Sequence, residues 1–330
     1  GSSKTTTIKL EIACSEAAVE DFELSEESRE IRRCVFNGAQ CEELILEVED
    51  EDAGGVGHFV IDDEEEYSGD FSQSLAHGYG MSNALKEYAI FAGRWDRGKA
   101  TLGEHLWPGQ SYLGEWKGGS PHGVGVQTTA TNKYKGDWWA NKKQAYGTLF
   151  EINTETTYAG YWYNDKRSGC GTEIYKDGGM YCGQWRNDTK HGFGIEICLI
   201  GNGDSETYYG AWRDGKRSGF GVSESSDGAM YSGEWKNDLK DGYGITTVKN
   251  ERIEEGLYVD DRFTKQLTKM DKSRLEKGVE EASESVLNAK YKASEARSCA
   301  MLAYTHASNA DNVAKEVRYF LITDMNLPNK

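Results

Sequence analysis

Proline is scarce, with three in 330 residues (Pro108, Pro121, Pro328) against 39 glycines. That balance favours many tight turns between short strands over long irregular loops. No stretch approaches the 18 apolar residues of a membrane span, and no signal peptide is present. Seven cysteines (Cys14, Cys34, Cys41, Cys170, Cys182, Cys198, Cys299) are scattered, odd in number and without CxxC spacing. Free thiols in a reducing compartment are expected. HExxH, GxSxG and Walker sequences are missing, as is any GxGxxG entering a helix. The acidic residues lie in turns and runs with no apolar pocket to shift them, so no enzyme, cofactor or metal site is expected. The hydrophobic fraction of 37% is modest. A large globular core is therefore not expected, although stacked repeats can bury a thin continuous one.

Charge is unevenly placed. Residues 1–66 hold 20 acidic and 5 basic side chains, leaving 35 and 33 for the rest of the chain. Basic partners suit the acidic N-terminus, and the near-neutral remainder argues against nucleic acid. Residues 1–57 are expected to form an acidic segment, either a small α/β cap on the neighbouring stretch or a separate recognition module. Ile8, Leu10 and Ile12 alternate as in a strand, as do Leu44, Leu46 and Val48, and Ser25 could cap a helix over 26–36.

Internal periodicity fixes the architecture of 58–270. An aromatic-x-Gly-x-aromatic pattern recurs as Tyr67-Gly69-Phe71, Phe91-Gly93-Trp95, Tyr112-Gly114-Trp116, Tyr134-Gly136-Trp138, Tyr158-Gly160-Trp162 and Tyr181-Gly183-Trp185. Tyr208-Gly210-Trp212, Tyr231-Gly233-Trp235 and a degraded Glu254-Gly256-Tyr258 complete nine units. The central glycines lie 24, 21, 22, 24, 23, 27, 23 and 23 residues apart. A second half such as His122-Gly123-Val124-Gly125 or Asp241-Gly242-Tyr243-Gly244 comes after each polar turn. Positions i, i+2 and i+4 of a strand share a face, so each unit reads as a hairpin with a ring stripe on one side. One hairpin cannot bury its rings alone, so neighbours must stack into an open ribbon.

From Asp271 the period changes. Leu275, Val279, Ala282, Val286, Ala289, Ala293, Ala296, Ala300, Ala303, Ala307, Ala310, Ala314, Val317 and Leu321 keep a 4, 3 spacing without a break. This is one face of a helix over 271–322, with 323–330 as a tail. Alanine makes a weak self-associating zipper. The seam is therefore expected to dock on the protein's own sheet. About 47 residues at 1.5 Å would span roughly 70 Å, against on the order of 85 Å for nine stacked hairpins. The expected fold is mostly β: an elongated antiparallel ribbon of hairpins with a long C-terminal helix along it, plus the N-terminal α/β segment.

The hairpin units resemble MORN repeats, and repeats capped by an alanine-rich helix resemble the junctophilin family. In that family six repeats, a joining region and two more precede such a helix; here the 27-residue interval holds a joining segment of only about Ile197–Glu206. The resemblance implies a non-enzymatic scaffold on the cytosolic face of endoplasmic reticulum–plasma membrane junctions. Its implied partner is a cytosolic segment of a plasma-membrane ion channel, by the family's habit a voltage-gated calcium channel. The implied membrane anchor lies outside this sequence. A second reading is a module binding anionic lipid at the plasma membrane through Lys133, Lys135, Lys142 and Lys143.

Tyr112, Trp116, Tyr134, Trp138, Tyr158, Trp162, Tyr181, Trp185, Trp212, Tyr231 and Trp235, with Trp95, read as core rather than binding surface. The candidate binding rings alternate to the opposite face: Trp139, Tyr161, Tyr163 and Tyr209. Coverage of that face by the helix is the competing expectation. His77, His122 and His191 occupy equivalent turn positions one repeat apart, too far to share a metal.

Overall fold

The computed structural model describes residues 55–62, 65–84, 89–249, 251–266 and 271–323. The N-terminal expectations over residues 1–54 lie outside the described residues. Among those described, the chain forms nineteen antiparallel strands and one helix, α1 (Lys272–Thr323). The mostly β, open antiparallel architecture with a C-terminal helix is as expected. Two compact units divide the described chain: residues up to Lys142 together with those from Ser308 onward, and Lys143–Ala307.

In the first unit the strands from Gly55–Asp62 to Asn132–Trp139 pair each with its chain neighbour. In the second unit the same meander runs from Lys142–Glu151 to Arg262–Gln266. The turns inside the repeats are two residues long with both φ angles positive, as in Asn164-Asp165 (49° and 68°) and Asn237-Asp238 (52° and 73°). Asn and Asp tolerate that left-handed region and match the twist of the flanking strands. The interval around 197–206 is not a linker. It lengthens one hairpin, whose strands Thr189–Gly201 and Asp204–Arg213 stay in register through Leu199↔Ser205.

Within each unit the ring stripe interlocks. A Trp meets the ring of its own repeat and that of the repeat before it edge to face, as Trp185 does with Tyr181 at 5.4 Å and Tyr158 at 5.2 Å. The same zigzag joins Tyr112 to Trp116 and Trp138, and Tyr208 to Trp212 and Trp235. All the expected core rings are buried. Edge-to-face pairs align the positive ring rim with a negative face and add to area burial.

A bulge makes room for this layer. Register shifts fall between Gly and Trp, as at Gly114/Trp116, Gly160/Trp162, Gly210/Trp212 and Gly233/Trp235. The bulged residue keeps a carbonyl outside the ladder, and the stripe tyrosine donates its hydroxyl to it: Tyr112 to Glu115, Tyr158 to Tyr161, Tyr181 to Gln184, Tyr231 to Glu234, at 2.9–3.0 Å. The ring thereby lies flat over the second glycine of the next strand; a Cβ on Gly171 would collide with the Tyr158 hydroxyl. The indole N–H of each stripe tryptophan other than Trp212 then donates to that glycine's carbonyl in the preceding repeat, as Trp185 does to Gly171 at 3.2 Å and Trp235 to Gly221 at 3.2 Å. Trp212 alone among the buried tryptophans has no hydrogen-bond acceptor for its Nε1.

Helix α1 covers the opposite face. In the first unit Ala310, Ala314, Val317 and Leu321 pack on Ala92, Leu113 and Val126. In the second, Ala300 and Ala303 meet Ala159, while Ala293 and Ala296 meet Cys182. Ala282, Ala289, Ala293, Ala296, Ala300, Ala303, Ala307 and Ala310 are all buried. Small residues let the helix backbone approach a flat strand layer closely. Near its start the seam turns by one position: Gly278 and Ser285 are buried, while Val279 and Val286 are half-buried. The Ser285 hydroxyl donates to the Phe220 carbonyl at 2.6 Å, which anchors that turn.

The expectation of free thiols fails for one pair. Cys170 and Cys299 are joined, with Cα atoms 6.1 Å apart, linking a repeat strand to the helix. Cysteines 129 residues apart in sequence carry no local signal; the docked helix brings them together.

Candidate binding surfaces

Three surfaces could meet a partner: the ring face, the helix flank, and the turn edge. On the ring face of the second unit a cation lies over the rings in each repeat. Arg167 sits 4.5 Å from the Trp185 ring, Lys190 5.0 Å from Trp212, Arg217 4.9 Å from Tyr208 and Lys240 4.8 Å from Tyr231. These residues occupy one position, five after the repeat tryptophan. The sequence displays that regularity, and the hairpin geometry explains it, since this residue starts the return strand beside the ring.

Acids already engage three of these cations. Arg167 pairs with Glu173 at 2.6 Å and Asp188 at 3.6 Å; Lys190 pairs with Glu196; Arg217 pairs with Glu206 at 2.8 Å and Glu196 at 3.6 Å. Arg167 with Glu173 and Asp188 forms one neutralised group, and Lys190 and Arg217 with Glu196 and Glu206 form a second. Glu173 is pushed above the ordinary carboxylate range by burial, opposed by the neighbouring Arg167 and Lys190 charges. A neutralised network has little field left for a phosphate.

The four lysines of the lipid reading separate here. Lys135 donates to Asp311 of the helix at 2.7 Å. Lys143 lies 5.6 Å from the Trp162 ring, and burial lowers its pKa despite Asp165 and Asp188. Lys133 and Lys142 are exposed.

The four candidate rings also divide. Trp139 is 62% exposed and Tyr163 56%. Each stands directly after a repeat tryptophan, at the start of a turn. Trp139 is steadied by His122, 4.5 Å away ring to ring. Tyr161 is half-buried against Tyr146 at 5.5 Å, and Tyr146 in turn meets His306 of the helix. Tyr209 is half-buried with Lys290 of the helix 5.5 Å from its ring. Helix coverage thus accounts for Tyr161 and Tyr209 and leaves Trp139 and Tyr163 open. Alternation could not separate them, because it assigns a face without saying how far the helix shadow reaches.

Turn-to-turn bonds hold the edge on which Tyr163 stands. In the second unit the Asp165, Asp188, Asp238 and Asp261 side chains accept from the backbone N–H of Lys143, Arg167, Arg217 and Lys240 in the repeat before. Each of these aspartates returns its own N–H to the same residue's carbonyl, at 3.0–3.1 Å. This reciprocal clamp makes each turn part of its neighbour.

No group of three or more His, Cys, Asp or Glu suited to a metal occurs among the described residues. A shallow apolar gap is lined by Tyr79, Arg94, Leu102, Val317, Phe320 and Leu321. No helix among the described residues is long and apolar enough to cross a membrane.

Comparison with known proteins assigns the repeats. The MORN repeat family matches residues 67–81, 112–132, 134–150, 158–180, 181–202, 208–230 and 231–247. MORN repeat-containing protein 3 of Xenopus laevis is 36% identical over 74 residues, 20% of this chain and 31% of that protein. Alsin of Rattus norvegicus is 29% identical over 125 residues, 34% of this chain and 8% of its own length, and alsin of Homo sapiens matches equally. The chain thus spans less than a third of the first relative and less than a tenth of the others. The unmatched hairpin Ala89–Asp96 and Lys99–Trp107 shares the geometry, its Trp95 donating to the Gly80 carbonyl at 3.1 Å. The stretch from Tyr67 to Thr247 is an array of seven matched MORN repeats, and the chain is there a homologue of MORN repeat-containing proteins.

Proposed function

We propose that this chain is a non-enzymatic scaffold whose repeat-and-helix body binds a cytosolic segment of a plasma-membrane channel at endoplasmic reticulum–plasma membrane junctions. MORN repeats serve as protein- or lipid-binding modules, and nothing in the described chemistry points to catalysis. The channel and the junction enter through the junctophilin-like order of repeats and alanine-rich helix.

The observation that carries the protein reading is an imbalance of resources. Three of the four ring-face cations, Arg167, Lys190 and Arg217, are paired with glutamates, whereas Trp139 and Tyr163 each stand exposed beside a turn. Large rigid rings give contact area at low entropic cost and concentrate binding energy. Anionic lipid would instead need free, clustered cations and would bind in a salt-sensitive way.

Two assays on the full chain separate these readings. Peptides from cytosolic segments of plasma-membrane channels are titrated calorimetrically against wild type, Trp139→Ala and Tyr163→Ala. Binding weakened at least about tenfold in either variant, with unchanged Tm, supports the scaffold reading. Co-sedimentation with phosphatidylserine vesicles that vanishes as salt rises, with no peptide binding, overturns it in favour of a lipid module.

A further inference from the structure

We propose that the Cys170–Cys299 disulfide is a reversible redox staple that sets how firmly helix α1 is held on the repeat strands. This inference is independent of the partner proposed above.

Cys170 lies between the two glycines of its repeat, and Cys299 flanks the alanine seam of α1. Cys170 packs, with Met180 and Ile195, against the small cluster of Cys182, Ala293 and Ala296. Alanines bury little area each, so no single seam contact holds this stretch strongly. A covalent tie closing a separation of 129 residues adds a fixed point to a stretch otherwise held by such small contacts.

A third sulfur makes the site more than a structural bridge. The register Thr172↔Cys182 and Cys170↔Gln184 places Cys182 diagonally across from Cys170 on the helix-covered face. Such diagonal neighbours lie roughly 7–8 Å apart at Cα, within reach of exchange when the helix lifts. Cys182 is free and buried, receiving a hydrogen bond from the Thr172 hydroxyl at 3.5 Å.

The oxidant is a small disulfide of the glutathione class. Cys170, the more open partner, attacks one sulfur of oxidised glutathione as its thiolate, and one glutathione thiolate leaves. Cys299, as thiolate, then attacks the Cys170 sulfur of the mixed disulfide and expels the second. Two cysteine thiols lose two electrons and two protons; one oxidised glutathione becomes two reduced ones. Reduced glutathione reverses both steps.

The test equilibrates the full chain anaerobically in glutathione buffers from fully reduced to fully oxidised. Thiols are quenched and alkylated, and the digest is searched by mass spectrometry for linked peptides. Amide hydrogen exchange over residues 293–303 is followed in parallel. The Cys170–Cys299 peptide should rise with the oxidised fraction, and the helix amides should exchange about tenfold or more slowly in that state. Cys299→Ser should abolish the difference and Cys182→Ser should keep it. If the serine variants fail to fold, the wild-type series still decides. Absence of the linked peptide at every ratio, a Cys170–Cys182 link in its place, or identical exchange in both states would overturn the proposal.

Discussion

Each stripe tyrosine contributes apolar area and also satisfies a carbonyl that the bulge removes from the ladder. Tyr158→Phe keeps the ring but leaves the Tyr161 carbonyl without its donor, and should cost about 1–2 kcal/mol in urea denaturation. The indoles give an internal comparison. Trp185→Phe breaks a bond to Gly171, whereas the Trp212 N–H has none to lose. Trp212→Phe should therefore cost about 1 kcal/mol less than Trp185→Phe when both are measured by the same unfolding. His105, stacked on Trp107 at 3.8 Å, is held to about 4 by burial, against 6.5 for the free side chain. Its folded pKa lies below the unfolded one, so between pH 6.5 and 4 the unfolded chain binds the proton first. Stability should fall as pH drops through that window, by up to about 2 kcal/mol given the ring's partial exposure, and His105→Phe should flatten that slope.

In the middle of the helix the buried seam is mainly alanine, from Ala289 to Ala314. Ala296 is fully buried, whereas Leu287 on the outer face is 68% exposed. Ala296→Leu should cost about 2–3 kcal/mol and raise hydrogen exchange in the surrounding helix, because the helix must lift to admit three more carbons. Leu287→Ala should stay within about 0.5 kcal/mol in the same assay. The alanine period was legible as a docking face. Its one-position shift at Gly278 and Ser285 was not, since the hydroxyl bond that causes it reaches a strand 65 residues away in sequence.

For the molecule as a whole, folding couples repeat to repeat through two devices, the ring zigzag and the reciprocal turn clamp. Nearest-neighbour coupling of this kind makes a repeat array unfold cooperatively instead of fraying unit by unit. Removing clamps with Asp188→Ala and Asp238→Ala together should lower stability by about 1–3 kcal/mol and broaden the thermal transition. The same clamps keep the turn edge of the second unit in place, so a partner gripping Tyr163 would meet a ring on an ordered support.

Spacing alone determined the repeats, the ring stripe, the hairpin turns and the helix seam. Each of these depends on a short period, two for a strand and 3.6 for a helix, that any local stretch displays. Tertiary structure decided the rest: which opposite-face rings the helix covers, which lysines are already engaged, and which cysteines meet. Those depend on where elements distant in sequence come to lie against one another, and no local period encodes that placement.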